Sequence, residues 1–251
     1  VAFGAYVAVH FGSLVPYAAE LFSREGMMRR HASPIARVLP NVLGFFDAPT
    51  VAITLTACAA IAGVFIALGR HVRVAALVAL YALVCHLGRN PLIVNPAMPY
   101  VGLMLACVAA SRSSGEGRFA ADDRDLRKVM FVLMAVGYTY SGYTKLSSPS
   151  WHDGTAFTHV LDNPLARPTF LRVWLLSLPE GVIAAFSYGA VALELAFAPL
   201  ALFRRTRPYV FFALVLMHVS LLVLIDFADL TVGMLLLHAY TSVSYTHLTL
   251  P

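Results

Sequence analysis

Charge is scarce in this chain. Asp, Glu, Lys and Arg make up 12% of its 251 residues, against roughly 25% in soluble domains. That shortage excludes an ordinary water-soluble globule. Cysteine is almost missing. Cys58, Cys85 and Cys107 have no Cys-x-x-Cys spacing and lie in apolar segments, where they read as buried small residues. The long loops hold none, which excludes a loop disulfide. There is no Gly-x-Ser-x-Gly elbow, no P-loop and no Rossmann glycine pattern, so hydrolase, kinase and nicotinamide chemistry have no support. No His-x-x-x-His or His-x-x-Glu pair occurs, so no metal is expected. A net charge of +5 and a pI near 9.3 come without any nucleic-acid-binding motif. Basic loops that hold membrane topology account for them, and no nucleic-acid partner is expected.

What the chain does have is apolar length. Hydrophobic residues reach 59% and the mean hydropathy is +0.76. A membrane helix needs roughly 20 apolar residues. Candidate segments are 1–22, 49–68, 72–87, 98–110, 129–146, 181–203 and 209–225. Residues 230–240 are too short to span alone and read as an eighth helix cut off. The expected fold is all-α, a polytopic transmembrane helical bundle of about seven or eight helices with membrane lipids as its surroundings. Residues 1–241 read as one membrane domain, truncated at both ends. Residues 242–251 abruptly end the apolar pattern and resemble translated sequencing-adaptor sequence, a non-native-looking tail outside the fold.

Basic residues in the loops set orientation. Arg70, Arg73, Arg112, Arg118, Arg124, Arg127, Lys128, Arg204, Arg205 and Arg207 fall on one side. Arg24, Arg29, Arg30, Arg37, Arg89, Arg167 and Arg172 fall on the other, in longer loops. The denser side is expected in the cytoplasm of a bacterial inner membrane, with the Trp151 loop facing outward. That loop, 147–180, is amphipathic. Trp151, Phe157, Phe170, Val173, Trp174 and Leu175 suit short helices at the interface.

Ionisable groups inside apolar segments are few: His10, Glu20, His86, Lys145, Glu194, His218, His238 and, at a helix end, Asp226. Each is costly in hydrocarbon. Lys145 stands at the end of the fifth segment and shares a helix face with Tyr138 and Ser141 at i, i+3, i+7 spacing. Either its stem snorkels so that the ammonium reaches water, or it is a desolvated amine working as a base. Gly137 and Gly142 would admit a neighbouring helix or a flat ligand. Glu194, near the middle of its segment, requires either protonation or a donor from another helix; a direct pair with Lys145 argues against a free base. His218 reads as a satisfied core residue or a working one, with Asp226 two turns later on the same face. Arg89, Asn90 and Asn95 form a polar turn that either makes only turns or roofs a site.

The run Gly142-Tyr143-Thr144-Lys145-Leu146, then Trp151-His152-Asp153-Gly154, resembles the HTTM family, the membrane domain shared with vitamin K-dependent γ-glutamyl carboxylase. Glu194, Arg204-Arg205 and His218 follow in the family's order. The resemblance implies a lipid-soluble quinol, such as vitamin K hydroquinone, bound in an apolar pocket, and a peptide glutamate as second substrate. It implies Lys145 as the catalytic base, with His218 beside it. Tyr143, Trp151, Gly154, Asn95 and Glu194 are implied to contact or shape the substrate site. The family's Asn-His pair is matched here by Asn95-Pro96. The carboxylase's lumenal domain has no counterpart in these residues. Quinol binding or oxygenation therefore fits better than full peptide carboxylation. The opposing reading is a non-enzymatic scaffold or lipid- or quinone-binding protein in which Lys145 only anchors its helix. A transporter has no broken-helix repeat behind it.

Overall fold

A computed structural model describes residues 1–28, 40–93, 95–111 and 121–246. Arg29, Arg30, Arg37, Arg112, Arg118 and tail residues 247–251 lie outside the described residues. The helices are α1 (Ala2–Leu14), α2 (Ala18–Phe22), α3 (Val42–Phe45), α4 (Pro49–Ala67), α5 (Val72–Arg89), α6 (Met98–Ala110), α7 (Ala121–Leu146), α8 (Pro149–His152), α9 (Ala156–Asp162), α10 (Phe170–Leu176), α11 (Glu180–Leu202), α12 (Arg207–Leu224) and α13 (Ala228–Thr246). A 3-10 turn, Val15–Tyr17, joins α1 to α2. No strand is present among the described residues beyond an isolated antiparallel bridge between Ala166 and Ile225. The fold is an all-α membrane bundle. Five helical segments among the described residues are long and apolar enough to cross a membrane: Ala2–Phe22, Pro49–Ala67, Val72–Arg89, Glu180–Leu202 and Arg207–Leu224. With 13 residues, α6 is about 20 Å long, short of a hydrocarbon core of about 30 Å.

Three ends differ from the sequence expectation, and the first is the start of α7, at Ala121 rather than 129. The helix α13 covers 19 residues rather than stopping at Tyr240. The Thr241 and Ser242 hydroxyls bond back to the carbonyls of Leu237 (2.9 Å) and Ala239 (3.2 Å), so polar residues there do not end the helix. Conversely, α12 stops at Leu224. Ile225 turns extended at its C-cap, and the Arg167 and Asp226 amides bond to the carbonyls of Leu224 and Leu165. Asp226 therefore does not share a helix face with His218. It makes an exposed ion pair with Arg167 at 2.9 Å.

The chain divides into two compact units, Val1–Leu126 and Arg127–Pro251. In the first, small residues let helices approach. A Cβ at Gly4 would collide with the Ala67 backbone, and one at Gly63 with the Ala8 backbone, so α1 and α4 cross at van der Waals distance. Ala75, Ala76, Ala79 and Ala82 form the buried seam of α5. Cys85 and Cys107 are buried, but Cys58 is exposed. It borders an open apolar groove with Val42, Val51 and Leu55, where a thiol behaves as a small apolar group. His86 is buried, stacked on Phe22 with ring centroids 3.9 Å apart, and its Nε2 lies 3.1 Å from the Thr56 hydroxyl.

Arg89 and Asn90, counted above as a loop, close the end of α2. Buried Arg89 donates to the carbonyls of Phe22 (3.0 Å) and Ser23 (2.9 Å). Asn90 donates to Leu21 at 3.1 Å. A guanidinium suits a helix C-terminus, where carbonyls lack partners and the dipole is negative. Arg89→Met is expected to cost the first unit roughly 2–3 kcal/mol. Arg89→Lys recovers under half of that, because a point ammonium cannot reproduce the fork. Thermal unfolding in lipid nanodiscs measures both.

Candidate functional site

The site lies in the second unit, where α7 meets α11. A Cβ on Gly142 would stand 2.8 Å from Leu195 Cγ and 3.2 Å from the Leu195 amide nitrogen. The bare edge at Gly142 is thus filled by a helix, not by a ligand. That close approach brings Glu194, next to Leu195, level with Lys145 one turn further along α7.

Lys145 Nζ donates to both carboxylate oxygens of Glu194, at 2.6 and 2.5 Å, and to Ser141 Oγ at 2.8 Å. An ammonium has three N–H donors, and each has an acceptor here. The lysine side chain is 21% exposed and the glutamate 7%. Lys145 therefore turns inward rather than snorkelling. The indole of Trp151 lies over it, 5.2 Å from Nζ to ring centroid, within cation–π reach.

The loop carrying Trp151 is clamped to α11. After α7 ends at Leu146, Pro149 starts α8 at a position where a missing N–H costs nothing. The His152 ring bonds back to the Leu146 carbonyl. Tyr188 donates to the His152 carbonyl at 3.0 Å, Ser187 to the Gly154 carbonyl at 2.8 Å, and the Phe157 amide to Ser187 Oγ at 2.9 Å. Gly154 turns the chain with φ +80°. Beside it, the Thr155 hydroxyl and amide hold the exposed Asp153 carboxyl below its usual range. The stabilisation from that contact is present at neutral pH and is lost as the pH falls through the folded-state value.

A second polar group sits deeper. Tyr138 Oη lies 2.6 Å from His218 Nε2 and 2.7 Å from His238 Nε2. Three helices contribute: α7, α12 and α13. Phe197 and Phe211 wall the group, with ring centroids 5.1 Å from Tyr138 and 5.5 Å from His238 respectively.

Residues 126–235 match the family model of the HTTM domain. The chain carries an HTTM domain. No curated protein and no solved structure gives a significant match. That domain and the apolar helices make the chain an integral membrane protein.

Within the HTTM domain, Lys145, Glu194 and Trp151 come together, with Gly154 holding the loop. His218 bonds to Tyr138, which is seven residues, or about 10 Å of helix rise, from Lys145. Tyr143 is 67% exposed, because two residues along a helix turn it some 200° away from Lys145. Asn95 belongs to the first unit, where it is buried and its Oδ1 accepts from the Ala97 amide at 2.9 Å, just before α6. Sequence reading left His238 outside any site, since residues 230–240 seemed too short to span. Its signal was there: a mid-segment histidine opposite a mid-segment tyrosine. Ser141 was visible by spacing but had no role assigned.

Proposed function

We propose that the HTTM domain binds a lipid-soluble quinol, vitamin K hydroquinone being the type, at the Lys145–Glu194 pair, and that the pair acts as one acid–base unit. The observation that carries this reading is the saturation of the ammonium by Glu194 and Ser141 beneath an indole ring. An ammonium so held has no lone pair to offer, so Lys145 alone is a poor base. Glu194 is the group with spare acceptor capacity. It takes the hydroxyl proton of the quinol, and Lys145 balances the negative charge that remains. These residues fit a planar phenol, with an apolar ring beside an anion–cation pair in a partly dry site. A quinol supplies the electrons for reaction with oxygen; a peptide glutamate is the substrate class the family adds. The density of basic residues supports placing the Trp151 loop on the outer face of a bacterial inner membrane.

One observation favours a second reading. The same ion pair ties α7 to α11, as a scaffold or lipid-binding module would need. Epoxide formation separates the two. The full chain in lipid nanodiscs receives reduced vitamin K, oxygen and bicarbonate. Epoxide is expected from the native protein, falling about 10²–10⁴-fold in both Glu194→Gln and Lys145→Met. No epoxide from correctly folded native protein decides for the scaffold.

A further inference from the structure

The group at Tyr138 contains a hydrogen-counting problem whose solution gives it a function. Tyr138, His218 and His238 are 5%, 5% and 2% exposed. A neutral phenol has one proton to donate and accepts through its lone pairs. Two ring nitrogens lie within 2.7 Å of its oxygen, so Tyr138 donates to one and accepts from the other. The two imidazoles must then be opposite tautomers. One carries its proton on Nε2, pointing at Tyr138, and leaves Nδ1 as a bare acceptor. The other accepts at Nε2 and carries its proton on Nδ1. Both Nδ1 atoms are buried with no partner among the described residues.

We infer that Tyr138, His218 and His238 form a proton relay through the interior of the second unit. The relay has two neutral states that are reversals of each other. A proton arriving at the bare Nδ1 of His218 releases the Nε2 proton to Tyr138 oxygen. The Tyr138 hydroxyl proton passes to His238 Nε2, and the proton on His238 Nδ1 leaves. One proton enters, one leaves, and no charge or electron stays behind. The reverse run starts at His238. The two unpartnered Nδ1 atoms are the terminals. An unsatisfied buried nitrogen is costly, and a water or ligand hydroxyl at each terminal removes that cost and completes the path.

A metal held by the same three atoms is the competing use. It would need both histidines protonated on Nδ1, and metal-bound histidines give that proton to an acceptor. Neither Nδ1 has one among the described residues. A purely structural knot is the other competitor, and it would keep a single tautomer arrangement. The relay does not depend on the quinol reading.

Nitrogen-15 NMR of the histidine-labelled full chain in lipid bilayers tests it on the native protein. The expected result is two neutral, complementary imidazoles that interchange tautomers, with solvent deuterium reaching both rings. Tyr138→Phe is expected to slow that interchange at least tenfold. The proposal is overturned by two like tautomers, by a charged ring, by bound metal, or by complementary tautomers that never interchange. Should Tyr138→Phe fail to fold, the native tautomers and their interchange still decide.

Discussion

Glu194→Ala is expected to destabilise the second unit by about 2–4 kcal/mol. Removing one partner of a buried ion pair strands the other. Here it strands an ammonium whose three hydrogen bonds fall to one, the bond to Ser141. The lysine is partly wet, which keeps the loss below that of a fully dry pair. Glu194→Gln retains an acceptor and is expected to cost about half as much. The informative variant is the double one. Lys145→Met with Glu194→Leu replaces charge by similar volume, and an apolar pair in a buried site is often neutral or better. It is expected to unfold within about 1 kcal/mol of the native protein while forming no epoxide. Thermal unfolding in nanodiscs read beside epoxide formation separates holding the helices from doing chemistry. If Glu194→Ala unfolds like the native protein, the ion pair contributes nothing to the fold.

Gly154→Val carries the other large effect. The backbone there has φ +80°, which costs an L-residue about 1–2 kcal/mol and a β-branched one more. Space adds to this. A Cβ would stand 2.6 Å from Ala184 Cβ and 3.1 Å from the Tyr188 hydroxyl, so the loop must lift from α11. Together these reach about 3–5 kcal/mol. Lifting also breaks the Ser187 and Tyr188 bonds and carries Trp151 off Lys145. Gly154→Ala is expected to be milder, and Ala184→Gly to relieve its clash while leaving the backbone strain. Limited proteolysis of residues 147–160 reports the lifting. A valine variant as protease-resistant as the native protein would mean the loop is not seated by this glycine.

Much of the bundle was legible because bilayer physics leaves few choices. The segment at 98–110 was read with its observed bounds, and Pro49 and Pro99 suit the openings of their helices. Lys145, Trp151 and Gly154 stood out from a short motif, and mid-helix Glu194 demanded a donor. What stayed hidden depended on partners far along the chain. Arg89 looked like loop charge, because nothing local says that the carbonyls of Phe22 and Ser23 need it. Asp226 looked helical until the bridge of Ala166 with Ile225 was seen. Gly142 invited a ligand or a helix equally, and only Leu195 decided. The Tyr138 group needed three helices, and one of those was shortened by reading Thr241 and Ser242 as an ending.

The amphipathic helix α10 has a mechanical consequence. Phe170, Val173 and Trp174 are exposed on one edge, while Leu175 packs with Leu161 and Leu224. Arg172 fastens the helix to the Leu161 carbonyl and to Asp162. Aromatic rings favour the headgroup zone, so this edge is expected to rest at the waterline like an outrigger. On that footing the unit's draught is set by its own surface, and thinning or thickening the bilayer is expected to tilt the unit before it drowns the float.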